Sequence, residues 1–232
     1  IYASALANGY NLSSLINDAP IAFEDSNLES VWKPQNYTGK FYGPTSIREA
    51  LVQSINIVSI KLLRELGITK SHNYIEKFGF EKTRLPADLA LGSGNFSPIE
   101  MVRGFSVIAN GGYLVDPYFV SKIIDRNGEI IYSHDAYLQS KNISSLSAFP
   151  WLDTLEMETK RPYALLKPIN NNEKVIDERV AYLITDILQE HMKRGSAGRR
   201  SASLNRDDIA GKTGTTNDAI STWFSGFHEN LA

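Results

Sequence analysis

Apolar residues recur at helical spacing in several stretches of this chain, and most stretches carry their own start or stop signal. Residues 1–8, Ile1-Tyr2-Ala3-Ser4-Ala5-Leu6-Ala7-Asn8, read as the end of a helix stopped by Gly9. A polar stretch to about Tyr42, holding Pro20 and Pro34, reads as loop with short extended pieces. Ser46-Ile47-Arg48-Glu49 has the form of a capping box. It opens a helical run that breaks near Ser54 and resumes from Ile57 to Leu66, with Gly67 as the stop. Thr69 opens another helix ending at Gly79. A second box, Ser97-Pro98-Ile99-Glu100, starts a helix with proline at its first position. Its apolar residues Ile99, Val102, Phe105 and Ile108 share one face, and Gly111-Gly112 ends it.

The pattern then changes period. Residues 118–124 and 129–133 are β-rich and flank Asn127-Gly128, a two-residue hairpin signal. From about 136 to 174 the pattern dissolves into Ser, Asn and Pro, which reads as an insertion or loop. Asp177 caps a long amphipathic helix (Val180, Leu183, Ile184, Ile187, Leu188, Met192) that ends at Gly195. A basic loop follows, and Lys193, Arg194, Arg199, Arg200 and Arg206 read first as a solvated run. After Ile209 come two strand-like runs separated by a turn at Asn217-Asp218. Helices in the middle and strands at the end predict an α+β fold. The expected organisation is a helical region with a hairpin at 1–135, a loop or insertion at 136–176, and a helix followed by strands at 177–232.

Composition removes several function classes. With 24 basic and 26 acidic residues there is no global pull toward nucleic acid or an anionic membrane. The chain has no cysteine, which suits an oxidising compartment and excludes a thiol nucleophile or a thiolate metal site. Four scattered histidines (His72, His134, His191, His228) show no ligand spacing, so they read as structural or solvated, and neither a metal nor a cofactor is expected. No run of about 18 apolar residues is present. A chain that opens on Ile1 inside a helix is expected to be a piece of a longer protein.

The densest chemistry lies at Ala210-Gly211-Lys212-Thr213-Gly214-Thr215-Thr216. It reads as an edge strand beside a cleft: Lys212 supplies charge, the threonines supply hydroxyls, and Gly214 allows close approach to the backbone. A phosphate-binding loop is excluded, because Arg206 stands where that motif needs a glycine and β-type residues follow where it needs a helix. A hydroxyl and an amide spaced Ser-x-Asn would complement such a strand. Five matches occur: Ser54/Asn56, Ser71/Asn73, Ser93/Asn95, Ser140/Asn142 and Ser203/Asn205. Ser54/Asn56 sits at the break between two apolar helical runs, where side chains are held toward a cleft, or where they simply cap a helix. Local pattern leaves both readings open.

Taken in order, Gly43–Gly67, Leu89-Ala90-Leu91-Gly92-Ser93, Ser97–Phe105, Ala109-Asn110-Gly111-Gly112 and Gly211–Thr216 resemble the transpeptidase domain of bifunctional (class A) penicillin-binding proteins, in the 1A form of Gram-negative bacteria. The resemblance covers most of residues 1–135 and 177–228. It implies a penicillin-binding/serine β-lactamase-like transpeptidase fold, a helical cluster packed on an antiparallel sheet, incomplete here at both ends with two strands of five. It selects Ser54 and Asn56 as site residues with Lys212, and assigns substrate binding to Thr213, Gly214, Thr215 and Thr216, with the Thr215 N–H in an oxyanion hole. The implied ligands are peptidoglycan stem peptides ending D-Ala-D-Ala and β-lactam antibiotics. An outer-membrane lipoprotein activator and an upstream glycosyltransferase domain are implied as well. The implied location is the periplasmic face of the inner membrane, with an anchor outside this chain.

The nucleophile of such an enzyme is the serine of a Ser-x-x-Lys motif, whose lysine shares a helix face one turn later. The string Ser30-Val31-Trp32-Lys33 has the right letters but the wrong setting, because Lys33 precedes Pro34 and acidic residues surround it. The family pattern sets the motif just before Ile1, so this chain by itself is expected to be inactive. A non-catalytic scaffold module is the alternative, and a serine β-lactamase a weaker one.

Overall fold

Among the described residues, side-chain caps open three of the helices. The computed structural model describes residues 1–23, 32–80, 89–92, 94–115, 117–134, 173–216, 221–229 and 231–232. Its α-helices are α1 (Tyr2–Ala7), α2 (Ile47–Val52), α3 (Asn56–Leu66), α4 (Ile68–Glu76), α5 (Pro98–Ala109), α6 (Glu178–Arg194) and α7 (Gly198–Ser201). Ser97 and Glu100 form both halves of a capping box at α5. At α2, Ser46 Oγ accepts from the Glu49 N–H at 3.2 Å, while the Glu49 carboxylate turns to Arg194 on α6. Asp177 caps α6, accepting from the Arg179 N–H at 2.9 Å.

The strands form three antiparallel pairs: β1 (Leu15–Asp18) with β2 (Gly43–Ser46), β3 (Lys122–Ile124) with β4 (Ile130–Ser133), and β5 (Ala210–Thr215) with β6 (Thr222–Phe227). β1 is one of the short extended pieces expected in the polar stretch, and its pairing with β2, which no sequence signal marked, is held in register by Leu15 opposite Ser46 and Asp18 opposite Gly43. Behind it, buried Asp18 accepts from Asn36 Nδ2 and from the Tyr42 N–H, so a carboxylate rather than an apolar cluster organises residues 36–42.

The chain divides into two compact units, Ile1–Leu114 with Asn172–Ala232, and Val115–Asn171. In the first, Ala5, Ile16, Ile47, Ala50, Ile55, Val58, Leu62 and Leu66 form one apolar cluster under β1 and β2. Val180, Ile184 and Leu188 of α6 form another with Ala210 of β5 and Phe227 of β6. Each large side chain buried in this way contributes roughly 1.5–3 kcal/mol. The second cluster fixes β5 against α6, which decides where the Lys212–Thr215 chemistry of β5 points.

Three local expectations need correction. On α5, Phe105 and Ile108 of the apolar face pack against the α6–β5–β6 cluster as expected, but the most buried residues are Glu100, Arg103, Gly104 and Val107, and Val102 is 41% exposed. Glu100 is buried because its carboxylate accepts from the Ser97 N–H and hydroxyl, both at 2.7 Å; apolar periodicity cannot register a satisfied carboxylate. The hairpin forms, but not as a two-residue turn. Asp125 and Glu129 close it, with the Asp125 N–H donating to Glu129 O at 2.8 Å, and Gly128 takes positive φ where a type I′ turn needs two such residues. The basic loop folds into α7 and a short 3₁₀ turn at Ala202–Leu204. Its Lys193, Arg194 and Arg206 pair with Asp207, Glu49 and Asp208.

The hairpin belongs to the second unit. The segment expected as an insertion lies outside the described residues up to position 172. Residues 173–176 return to the first unit, where Leu114 N–H donates to Glu173 O and Val175 N–H to Gly112 O.

Candidate active site

Helix α2 ends in a Schellman arrangement. The Ile55 N–H donates to Ala50 O at 2.9 Å and the Ser54 N–H to Leu51 O at 3.3 Å. The residue between cap and helix exit must then take a left-handed conformation, a place usually given to glycine. Here it is Ser54, at φ 57°. A side chain in that conformation costs on the order of 1–2 kcal/mol. The strained backbone turns the hydroxyl away from the helix, and Ser54 Oγ accepts a hydrogen bond from Lys212 Nζ. Both open readings of Ser54 therefore meet in one residue: its backbone caps α2 and its side chain faces β5.

Lys212 also donates to Thr213 O at 2.9 Å. Burial pushes its ammonium down to about 8. Asn56 opens α3 two residues after Ser54, and its carboxamide nitrogen donates to Gln35 O at 3.0 Å. The same loop is tied to α3 by Asn36 Oδ1, which accepts from the Ile57 N–H at 3.2 Å.

Strand β5 pairs with β6 in the register Lys212 opposite Ser225 and Gly214 opposite Trp223. Two glycines allow that pairing: a Cβ on Gly226 would stand 2.7 Å from Ala210 O, and one on Gly211 would enter the Phe224 ring. Past the strand end, the Thr216 N–H donates to Ser221 O at 3.0 Å. Strand alternation therefore turns the Thr215 N–H to the opposite edge, away from β6, where an oxyanion donor would have to be. Thr216 itself is engaged in the turn, with its Oγ1 accepting from the Ser221 N–H at 2.9 Å. A Cβ on Gly214 would meet nothing within 4 Å, so the backbone there is open to approach. The turn at Asn217-Asp218 lies outside the described residues.

Among the described residues, the Ser71 and Ser203 matches are not brought to β5. Ser71 is buried in α4, and Ser203 donates to Arg200 O at 3.2 Å. Ser93, Ser140 and Asn142 lie outside the described residues, as does Ser30. Lys33 is exposed. Two shallow cavities, about 300 Å³ beside Lys61, Arg64 and Glu65 and about 210 Å³ between α5 and β6, are not lined by Ser54, Asn56 or Lys212.

Sequence reasoning missed two neighbours of this strand. His191 of α6 is fully buried, with Nδ1 2.6 Å from Val52 O and Nε2 3.2 Å from Thr213 Oγ1. Ser196 Oγ lies 2.9 Å from Thr213 Oγ1. A single histidine at i+3 and i+4 from apolar partners looks like any core position, so no sequence signal singles it out.

A helical cluster with a Ser-x-Asn turn facing a Lys-Thr-Gly strand defines the class of penicillin-recognising acyltransferases. A sequence profile described as the penicillin binding protein transpeptidase domain matches residues 1–230, and the chain belongs to that family. It is similar to penicillin-binding protein 1A of Pseudomonas aeruginosa, 40% identical over 99% of this chain and 30% of that protein's length. The crystal structure of penicillin-binding protein 1A from Haemophilus influenzae aligns with a TM-score of 0.77 and 32% identity, covering 97% of this chain and 34% of that one. An imipenem acyl-enzyme of penicillin-binding protein A from M. tuberculosis shares the fold, with a TM-score of 0.65 over 98% of this chain and 49% of that one, at 17% identity. The chain thus spans under a third of the length of the Pseudomonas relative.

Proposed function

We propose that this chain forms the substrate wall and proton relay of a serine-type D,D-transpeptidase. The observation that carries the reading is the Lys212–Ser54 hydrogen bond, which joins the two motifs such an enzyme needs. In this reading a serine hydroxyl attacks the penultimate D-alanine carbonyl of a stem peptide. The peptide C–N bond breaks, and the terminal D-alanine leaves with a proton passed through Ser54, whose hydroxyl is held by the Lys212 charge. An amine from a second peptide then takes the acyl group and releases the serine. Thr213 and Thr215 donate to the terminal carboxylate, the Thr215 N–H supports the oxyanion, Gly214 keeps the strand open, and Thr216 keeps the following turn closed. Asn56 orients the peptide amide. β-Lactams, which mimic D-Ala-D-Ala, acylate the same serine; the M. tuberculosis protein forms an acyl-enzyme with imipenem.

The whole protein would work at the periplasmic face of the inner membrane, with a glycosyltransferase domain and a lipoprotein activator as partners. Among the described residues, no helix is long and apolar enough to cross a membrane. In this reading the acylating serine is not Ser30, since Lys33 is exposed and precedes Pro34, which disfavours the helical geometry a Ser-x-x-Lys motif needs. Fluorescent penicillin tests both points. The full-length protein should label covalently and residues 1–232 alone should not. Labelling of 1–232 would make Ser30 or another serine here the nucleophile, and a full-length protein that never labels would favour a scaffold role.

A further inference from the structure

Three carbonyls near the end of α2 are taken by the turn that follows: Glu49 O by the Gln53 N–H, Ala50 O by Ile55 and Leu51 O by Ser54. The next carbonyl, Val52 O, is one of the four that a helix end cannot satisfy internally. His191 Nδ1 lies 2.6 Å from it. A carbonyl only accepts, so Nδ1 carries the hydrogen. Burial first, and then the nearby Lys212 charge, hold the imidazole below its usual value and favour the neutral ring, although the bond to Val52 O pulls the other way. Of the other charged groups nearby, Glu190 and Arg194 on α6 pair with Arg48 and Glu49 of α2.

With its hydrogen on Nδ1, His191 presents a lone pair at Nε2. Facing it are Thr213 Oγ1 at 3.2 Å and the Thr213 N–H at 3.5 Å, while Ser196 Oγ stands 2.9 Å from Thr213 Oγ1. Ser196 Oγ also lies 3.5 Å from Nε2, but the Thr213 hydroxyl is the nearer donor at 3.2 Å. With Thr213 donating to His191, Ser196 donates to Thr213 and His191 to Val52 O.

We propose that His191 is a positioning residue for this site. Its neutral Nδ1–H tautomer pins the residue two before Ser54 to the residue after Lys212, and aims the Thr213 hydroxyl hydrogen inward. The backbone is shaped to allow it: a Cβ on Gly195 would stand 2.3 Å from Val52 O and 2.5 Å from His191 Nδ1. A ligand carboxylate draws the Thr213 hydrogen outward, and Nε2 then keeps the Thr213 backbone N–H as its donor. His191 touches no reacting atom and acts only through Thr213 and Val52. The proposal rests on the transpeptidase reading for the identity of that ligand.

The test uses the full-length protein with His191→Val, which removes both bonds, and His191→Gln, which keeps an acceptor near the Nε2 position. Acylation by a fluorescent penicillin should slow roughly tenfold in His191→Val and partly recover in His191→Gln. Acylation by the penicillin's methyl ester, which lacks the carboxylate, should be unaffected. Equal slowing of acid and ester in step with lower melting temperature would overturn the proposal by reducing His191 to a packing residue. ¹⁵N-histidine spectra, with the His191 signal assigned by its loss in a variant, should show the neutral Nδ1–H form at pH 7; an Nε2–H form overturns it. A wild-type protein that never acylates defeats the transpeptidase reading, and the spectra still decide the tautomer.

Discussion

Ser54 Oγ accepts a hydrogen bond from Lys212 Nζ across 158 residues of chain. Neither partner reaches the other through its own element. Ser54 is presented by a left-handed residue at the end of α2, and Lys212 by a strand whose start is buried against α6. Helix α6 is the common support, because it packs on both α2 and β5.

The strain at Ser54 separates stability from function. Ser54→Gly removes the left-handed penalty and should raise the stability of the intact protein by roughly 0.5–1 kcal/mol, while Ser54→Ala should not. Both lose the hydroxyl and should lower cross-linking roughly 10²-fold. Thermal melts beside a peptidoglycan cross-linking assay decide it, and a Ser54→Gly protein that melts lower sinks the strain argument.

Lys212 is a cation below about pH 8 and increasingly neutral above it. Affinity for a carboxylate-bearing ligand should therefore be flat below that pH and fall up to about tenfold per pH unit above it. Lys212→Met should bind weakly with no alkaline limb. A wild-type profile that stays flat to pH 9.5 would show that the lysine keeps its ordinary value.

Gly195 has no positive φ, so its need is space. Gly195→Ala forces a methyl onto Val52 O and His191 Nδ1, and two of the three nearest atoms are backbone. A loss of about 2–3 kcal/mol is expected from such overpacking. Gly214→Ala, where a Cβ meets nothing, should leave the melting temperature unchanged and impair ligand binding alone. Equal melting temperatures for the two variants would contradict the packing described for α6.

His191 also sets an acid limit on stability. Its folded value lies below its unfolded one, near 6.5, so the unfolded chain takes up the proton first as pH falls. Its stabilising effect is complete above about pH 6.5 and is lost as pH drops below that. The melting-temperature difference between wild type and His191→Val should shrink from pH 7.5 to 5. A difference that widens toward acid would mean the imidazole is held as a cation.

Local chemistry was legible wherever a residue acts on its near neighbours. The Ser97–Glu100 box, the stop at Gly67 and the Asp177 cap all formed as expected, because their partners lie within three or four residues. The strand expected at Ala210–Thr215 formed as well. The Ser54–Asn56 pair was ambiguous as a sequence, since capping and site presentation need the same residue types. In the fold the Ser54 backbone caps α2 while its hydroxyl meets Lys212.

The sequence by itself determined which residues carry charge, hydroxyl and turn chemistry, and the order of motifs that marks the family. Tertiary structure decided that the Ser54 string meets Lys212 where the described Ser71 and Ser203 strings do not, which face of α5 is buried, and that His191 joins α2 to β5. Those choices turn on contacts between elements 22 to 158 residues apart, where propensity and periodicity carry no information and only the packing of α6 brings the partners together.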